Sequence, residues 1–247
     1  MGSVVGVNHV GVSVRDLARS RSFWEALDFV EVAAWSWGAG TTPADEALGL
    51  LDTAASVSIL ASPAAYLELF AFTSPEPTAR SATSPGIAEV TVAVDDLAAT
   101  ADALAAQGSP VDDATVVCPD GTVVRLVEGG LRGLRRVLLR VPDPQRSPLL
   151  AHAPDAPVSL DAVAGGTGPP PRPSDLGANH VCLDVEGIVG VRGSFGDGVR
   201  WHHGVTPSSG GIASVCYGTT VDGVLVELLE NHSPDASLSR GRLALLD

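Results

Sequence analysis

Apolar and polar residues alternate in short runs along this chain, and one such run occurs four times. Val7-Asn8-His9-Val10-Gly11-Val12-Ser13-Val14 alternates and ends at Asp16, whose carboxylate suits a helix N-cap. Leu17, Phe23, Trp24 and Leu27 then fall on one helical face. Asn179-His180-Val181-Cys182-Leu183-Asp184-Val185 repeats the strand, including the tripeptide Asn-His-Val. Two weaker copies lie between. Residues 88–94 lead into Asp95-Asp96-Leu97 and an alanine-rich helix closed by Gly108, and residues 135–141 lead into Pro142-Asp143. The pattern predicts modules starting near residues 7, 88, 135 and 179.

The module endings agree. Asp120-Gly121-Thr122-Val123-Val124-Arg125-Leu126-Val127-Glu128 aligns without a gap on Asp222-Gly223-Val224-Leu225-Val226-Glu227-Leu228-Leu229-Glu230. Asp-Gly is a hairpin-turn signal, so each segment reads as a turn followed by a strand. Tyr66-Leu67-Glu68-Leu69-Phe70 is the equivalent ending of the first module. Gly165-Gly166 and Pro169-Pro170-Pro171 interrupt residues 154–174, which are expected to lack regular structure and to leave the third module truncated. Residues 186–198 carry no amphipathic helical pattern, so the last module is expected to have lost its helix. The expected organisation is two βαβββ modules over 1–130, a truncated module with a Pro/Gly-rich linker over 131–175, and a final βαβββ-like module over 176–247.

Strand alternation divides each opening strand into two faces. Val10, Val12 and Val14 pack beneath the helix, while His9, Gly11 and Ser13 turn the other way. His180, Cys182 and Asp184 likewise oppose Val181, Leu183 and Val185. Glu68 and Glu227 are each flanked by leucines, so both carboxylates face away from a packed surface. If the sheet curls, these His and Glu side chains converge. A lone strand histidine is more often a hydrogen-bonded structural residue than a ligand. Two at equivalent repeat positions, each followed by a glutamate at an equivalent position, favour ligation of one divalent ion. Two imidazoles and two carboxylates suit zinc, nickel, cobalt, manganese or iron.

Composition narrows the classes. With 45% hydrophobic and 18% charged residues, the 247-residue chain has ample core, which excludes a disordered one. A net charge of −14 opposes binding to phosphate backbones, so nucleic acid is not an expected partner. All 15 basic residues are arginine, which excludes Schiff-base lysine chemistry and points to a GC-rich bacterial genome. Cys118, Cys182 and Cys216 are odd in number and lack CxxC spacing, as expected of a reducing cytoplasm. No run of about 18 apolar residues and no basic-then-apolar start is seen, so the expected location is cytoplasmic, with no membrane partner.

At these residues the chain resembles the vicinal oxygen chelate superfamily, which includes glyoxalase I, methylmalonyl-CoA epimerase, bleomycin-resistance proteins and type I extradiol dioxygenases. Asn8-His9-Val10-Gly11-Val12 with Asp16-Leu17, and Asp95-Asp96-Leu97 with Gly108, resemble its module openings. Cys118-Pro119-Asp120-Gly121 resembles its Asp-Pro-Asp-Gly turn. The resemblance implies an α+β fold: tandem βαβββ modules forming a curved, cup-like mixed sheet with helices on the outside. It implies metal ligands at His9, Glu68, His180 and Glu227. The inner modules depart from the pattern, with Glu89 where a His is usual, Arg125 where a Glu is usual, and Arg136 where a dioxygenase keeps a His. Only a cup joining the first and fourth modules holds the complete set, which makes that pairing the expected one. Glu89, Arg125 and Arg136 are then expected to mark a retired second site held by ion pairs.

Further candidates follow from the same resemblance. Trp35, Trp37 and Trp201 lie on segments that rim the cup and are expected to line an apolar substrate pocket, against ordinary packing as the alternative. His202 and His203 are adjacent, so at most one enters the cup, and His203 is taken as an acid–base candidate. Tyr217, ten residues before Glu227, resembles a catalytic tyrosine of extradiol dioxygenases. The expected activity is metal-dependent isomerase, epimerase or lyase chemistry by proton transfer beside a carbonyl of a small substrate, with Glu68 or Glu227 as base. An iron(II) ring-cleaving dioxygenase and a non-catalytic drug-binding resistance protein are the alternatives. An apolar flank left by the missing helix needs cover from a dimer partner or from residues 131–165, so a homodimer is one of two expectations there.

Overall fold

The computed structural model describes residues 2–40, 42–154, 157–208 and 211–246. The first module runs through β1 (Ser3–Ser13), α1 (Leu17–Glu25), β2 (Val30–Trp37), α2 (Thr42–Leu48), β3 (Ala54–Ala61) and β4 (Tyr66–Ser74). The second comprises β5 (Gly86–Val94), α3 (Leu97–Ala106), β6 (Thr115–Val117) and β7 (Val123–Glu128). β8 (Gly133–Val141) and β9 (Ser159–Ala164) form the third. The last contains β10 (Gly177–Glu186), α4 (Ile188–Ser194), β11 (Val199–Trp201), β12 (Thr206–Pro207), β13 (Ala213–Thr220) and β14 (Leu225–Asn231), followed by a short α5 (Arg240–Leu243).

Local chemistry sets the element boundaries. The Asp16 carboxylate accepts the Arg19 amide at 3.0 Å and Asp96 accepts that of Ala99 at 2.9 Å, satisfying orphan donors at the starts of α1 and α3. Gly121 and Gly223 close the two Asp-Gly turns with φ of 90° and 81°, a region in which a side chain would be strained.

The first and last modules share one nine-stranded sheet in the order β11-β13-β14-β10-β1-β4-β3-β2, with β12 beside β13. The inner modules build a five-stranded sheet, β6-β7-β5-β8-β9. Both sheets are curved and open. In the larger one β1 pairs parallel with β4 and β10 parallel with β14, while β1 and β10 run antiparallel at the centre. Modules one and four are therefore related by a local twofold between β1 and β10.

Valine and leucine faces explain why the sheets form. Val10 and Val12 of β1 with Val14 just beyond it, Val181, Leu183 and Val185 of β10, and Val90, Val92 and Val94 of β5 join Phe23 and Trp24 of α1 in one buried core. Each large apolar side chain buried there contributes roughly 1.5–3 kcal/mol. The opposite face of the larger sheet is left free to carry polar groups. No helix among the described residues is long and apolar enough to cross a membrane.

Two sequence expectations are corrected. The last module keeps its helix: α4 is seven residues long, with Ile188 and Val191 buried and Phe195 packed just beyond them. Gly190 and Gly193 mask this pattern, and the Glu230 carboxylate caps it by accepting the Gly187 and Ile188 amides. Within 154–174, residues 159–164 form β9, which pairs parallel with β8 and buries Leu160. The Pro/Gly stretch that follows has no regular structure, but it is fastened to the body through Pro169 and Pro173 carbonyls that accept from Ser84, Ser13 and Asn179.

Candidate metal centre

Strand register brings the four expected side chains together. Gly11 of β1 stands opposite His180 of β10 on one side and Glu68 of β4 on the other. Across the twofold, Cys182 stands opposite His9 and Glu227. The ligand-type atoms of His9, Glu68, His180 and Glu227 all lie within 4.8 Å of one another. Nε2 of His9 is 3.1 Å from Nε2 of His180, 3.2 Å from Glu68 Oε2 and 3.1 Å from Glu227 Oε2. Nε2 of His180 lies 3.8 Å and 3.4 Å from the same two oxygens. Both histidines are fully buried, while Glu68 and Glu227 keep 5% and 3% of their surface where they meet the cavity above them.

The orientation of the imidazoles comes from residues whose role sequence reasoning missed. Asn8 Oδ1 lies 3.0 Å from Nδ1 of His9, and Asn179 Oδ1 lies 2.6 Å from Nδ1 of His180. Asn8 Nδ2 donates to the Leu238 carbonyl, and Asn179 Nδ2 donates to Ser13 Oγ and the Pro173 carbonyl. Each amide oxygen must then accept a proton from Nδ1, which leaves the Nε2 lone pair pointing into the centre. Neighbouring strand residues ordinarily face opposite ways. Here the β1–β10 ladder shifts register at Asn8 and again at Asn179, and these bulges bring each Asn beside its own His. The repeated Asn-His pair was the available signal.

A divalent ion fits these residues. Two nitrogen lone pairs and two carboxylate oxygens converge, and Glu68 Oε2 and Glu227 Oε2 are buried without a hydrogen-bond partner. Such a cluster of acceptors is stable only around a cation. Bond lengths of about 2.1 Å would place ligand atoms about 3.4 Å apart in a tetrahedral site, close to the separations present. In the ion-free protein a proton takes that part. Burial opposes a charge on His9, but Glu227 and Glu68 outweigh it and push its pKa up to about 10. Burial likewise opposes the Glu227 carboxylate, and the two histidines hold its pKa well below the usual range.

Comparison with known proteins agrees with the fold. Residues 6–125 match the Glyoxalase/Bleomycin resistance protein/Dioxygenase superfamily. Residues 6–125 thus carry the signature of the vicinal oxygen chelate superfamily. Among solved structures it is similar to glyoxalase I from Zea mays, at 15% identity over 99% of this chain and 96% of that one, with a TM-score of 0.69. It is also similar to a putative dioxygenase from Bacillus subtilis, at 13% identity over 94% and 86% with a TM-score of 0.64. A third is the cppA protein from Streptococcus pneumoniae, at 12% identity over 92% and 98% with a TM-score of 0.60. No curated protein matches the chain in a sequence search. The superfamily includes both glyoxalase I enzymes and dioxygenases.

A cavity of about 630 Å³ opens over the centre, with Glu68 and Glu227 in its lining. Trp35 and Trp37 line it. Trp201 does not. It shares the helical side of β11 with Val199, packs against Phe195 at 5.7 Å between ring centroids, and lies under the Arg192 guanidinium at 5.4 Å. Tyr217 pairs with Glu227 across β13–β14, and its ring centroid is 5.8 Å from that of His180. Burial and the Glu227 and Glu68 carboxylates hold its phenol neutral, with a pKa well above the usual value.

Of the adjacent histidines, His203 lines the cavity. Its Nε2 accepts the Tyr217 amide at 3.2 Å, which leaves Nδ1–H to donate to the Gly204 carbonyl at 2.6 Å. Both nitrogens are engaged by backbone, so the ring braces the loop and has no site free for proton transfer. His202 turns away to Ala47 and Thr219.

The inner sheet repeats the four positions with different chemistry. Glu89 Oε1 is 2.7 Å from Arg136 and 3.4 Å from Arg125, and Asp161 lies 4.0 Å from Arg136. Ion pairs fill the place that the metal-ligand set holds in the larger sheet.

Proposed function

We propose that this chain is a metal-dependent isomerase or lyase that moves a proton on a carbon beside a carbonyl. The observation that carries this reading is the complete two-His, two-Glu set with its unpartnered carboxylate oxygens at the floor of a largely apolar cavity. His9, Glu68, His180 and Glu227 hold the ion. When bound, it supplies Lewis acidity that polarises adjacent substrate oxygens and makes the neighbouring carbon-bound proton removable near neutral pH. Of the cavity's carboxylates, Glu68 and Glu227 stand at the centre itself, and these are the groups able to receive that proton. The chain has no lysine, Tyr217 is held neutral, and both nitrogens of His203 are occupied. One carboxylate takes the proton from the hydroxyl-bearing carbon and returns it to the adjacent carbonyl carbon, while the hydroxyl proton passes to the other oxygen, so the isomerisation is redox-neutral. The Tyr217 hydroxyl, as a neutral donor, steadies charge that develops on a substrate oxygen.

The four-ligand set favours this reading over oxygen activation, which typically uses two histidines and one carboxylate with open positions. The test is substrate-dependent exchange of a carbon-bound proton with deuterated solvent. Glu68→Gln and Glu227→Gln keep side-chain size but remove the basic carboxylate, and at least one should lower turnover roughly 10²–10⁴-fold. Activity that requires molecular oxygen, or that persists in both variants, rejects the mechanism in favour of ring cleavage. A folded protein that takes up no metal points to a binding protein.

A further inference from the structure

The cavity over the centre is one-sided in charge. Its lining includes the carboxylates of Glu46, Glu68 and Glu227 and none of the chain's 15 arginines, which are its only strongly basic side chains. A dication at the centre balances Glu68 and Glu227, which leaves Glu46, an exposed residue of the lining, as the remaining carboxylate. An anionic substrate group would lose its water there, gain no cationic partner and face a like charge. The remaining walls are mainly apolar, and one is rigid. Trp37 donates from Nε1 to Thr53 Oγ1 at 3.1 Å and meets Phe70 edge-on at 6.3 Å, which fixes its ring. A volume of about 630 Å³ falls within the usual range for small-molecule sites, roughly 300–1,000 Å³.

We infer that the substrate is an uncharged molecule with a flat apolar body and two adjacent oxygens at one end, and not an adduct carrying carboxylates at its far end. The inference rests on the proton-transfer reading for the two oxygens and on the cavity for the rest. Two matched probes test it on the zinc-loaded full chain, with binding followed by tryptophan fluorescence. One is 2-hydroxy-1-(2-naphthyl)ethanone; the other carries a sulfonate on the distal ring, a charge with little affinity for metals. The neutral probe should bind at least ~10-fold more tightly. Glu46→Arg, an exposed substitution, should narrow the gap by strengthening only the sulfonated probe. Equal or tighter binding of the sulfonated probe, or no binding of the neutral one, overturns the inference. Deuterium exchange measured in parallel separates the two readings. Tight neutral binding without exchange removes the proton-transfer mechanism and leaves the ligand class standing. Exchange confined to anionic compounds does the reverse.

Discussion

Gly11 faces His180 across the β1–β10 pair, and a methyl group at Gly11 would overlap the His180 imidazole. Glycine is needed here for space. Gly11→Ala should therefore push His180 out of line and lower metal affinity about 10–100-fold while the fold is kept. Competition titration against a chelator, with circular dichroism as the folding control, measures this. Unchanged affinity would mean that His180 does not bind the ion.

The two Asn–His pairs make a graded prediction. Asn8→Ala and Asn179→Ala should each weaken metal binding about 10–100-fold by freeing Nδ1 of the adjacent imidazole. Asn179 also holds Ser13 and Pro173, and Asn8 also holds Leu238 and the Asp184 carboxylate, so both changes should lower thermal stability as well. By comparison His9→Ala and His180→Ala should remove most bound metal, read by elemental analysis. Full occupancy in both would refute the ligand assignment.

Metal and proton compete for His9. Its pKa in the ion-free protein is pushed up to about 10, so near pH 7 metal uptake must release a proton. Apparent affinity should rise about tenfold per pH unit through the neutral range and level off above pH 10. Stability of the ion-free protein runs the other way. The raised folded pKa contributes stability that is complete below 6.5, the unfolded value, and lost as pH climbs through 10. Melting of chelator-treated protein should fall across that window, and melting of the loaded protein should not follow it.

The C-terminal segment is clasped to the centre's supporting strands. Arg240 donates to the Asp184 carboxylate at 2.9 Å and to the Val7 carbonyl, while the Leu238 carbonyl receives both Asn8 and Asn231. Arg240→Ala leaves a largely buried Asp184 without its cationic partner, held only by the neutral amides of Asn8 and Asn231, and should cost about 1–3 kcal/mol in urea unfolding. Combining it with Asp184→Asn should cost less than the sum of the two. Additive losses would show that the pair is not coupled.

Much of this architecture is legible in the residues because strand alternation is a two-residue rule that a repeat makes visible twice. His9 and His180, with Glu68 and Glu227, stand out for that reason. What escaped the pattern follows from local departures. A bulge is invisible to alternation, so Asn8 and Asn179 read as facing away from the histidines they hold. Two glycines blur the Ile188, Val191, Phe195 face of α4. Trp201 reads as a rim residue until Val199 and Phe195 show which side of β11 is packed. Residues 159–164 were hidden by the glycines and prolines that follow them.

The inner sheet has a further consequence for protein engineering. Thr91 stands opposite Arg125 and Arg136 as Gly11 stands opposite Glu68 and His180, and Leu138 meets Asp161 as Cys182 meets Glu227. Even the bulges recur, with Ala88 and Arg135 at the skipped positions that Asn8 and Asn179 occupy. Installing a second centre would thus call for Glu89→His, Arg125→Glu, Arg136→His and Asp161→Glu as ligands. Thr91→Gly would make room for the new imidazole, and Ala88→Asn with Arg135→Asn would orient both rings. The backbone for a second centre is already in place, and the distance to it is seven side chains.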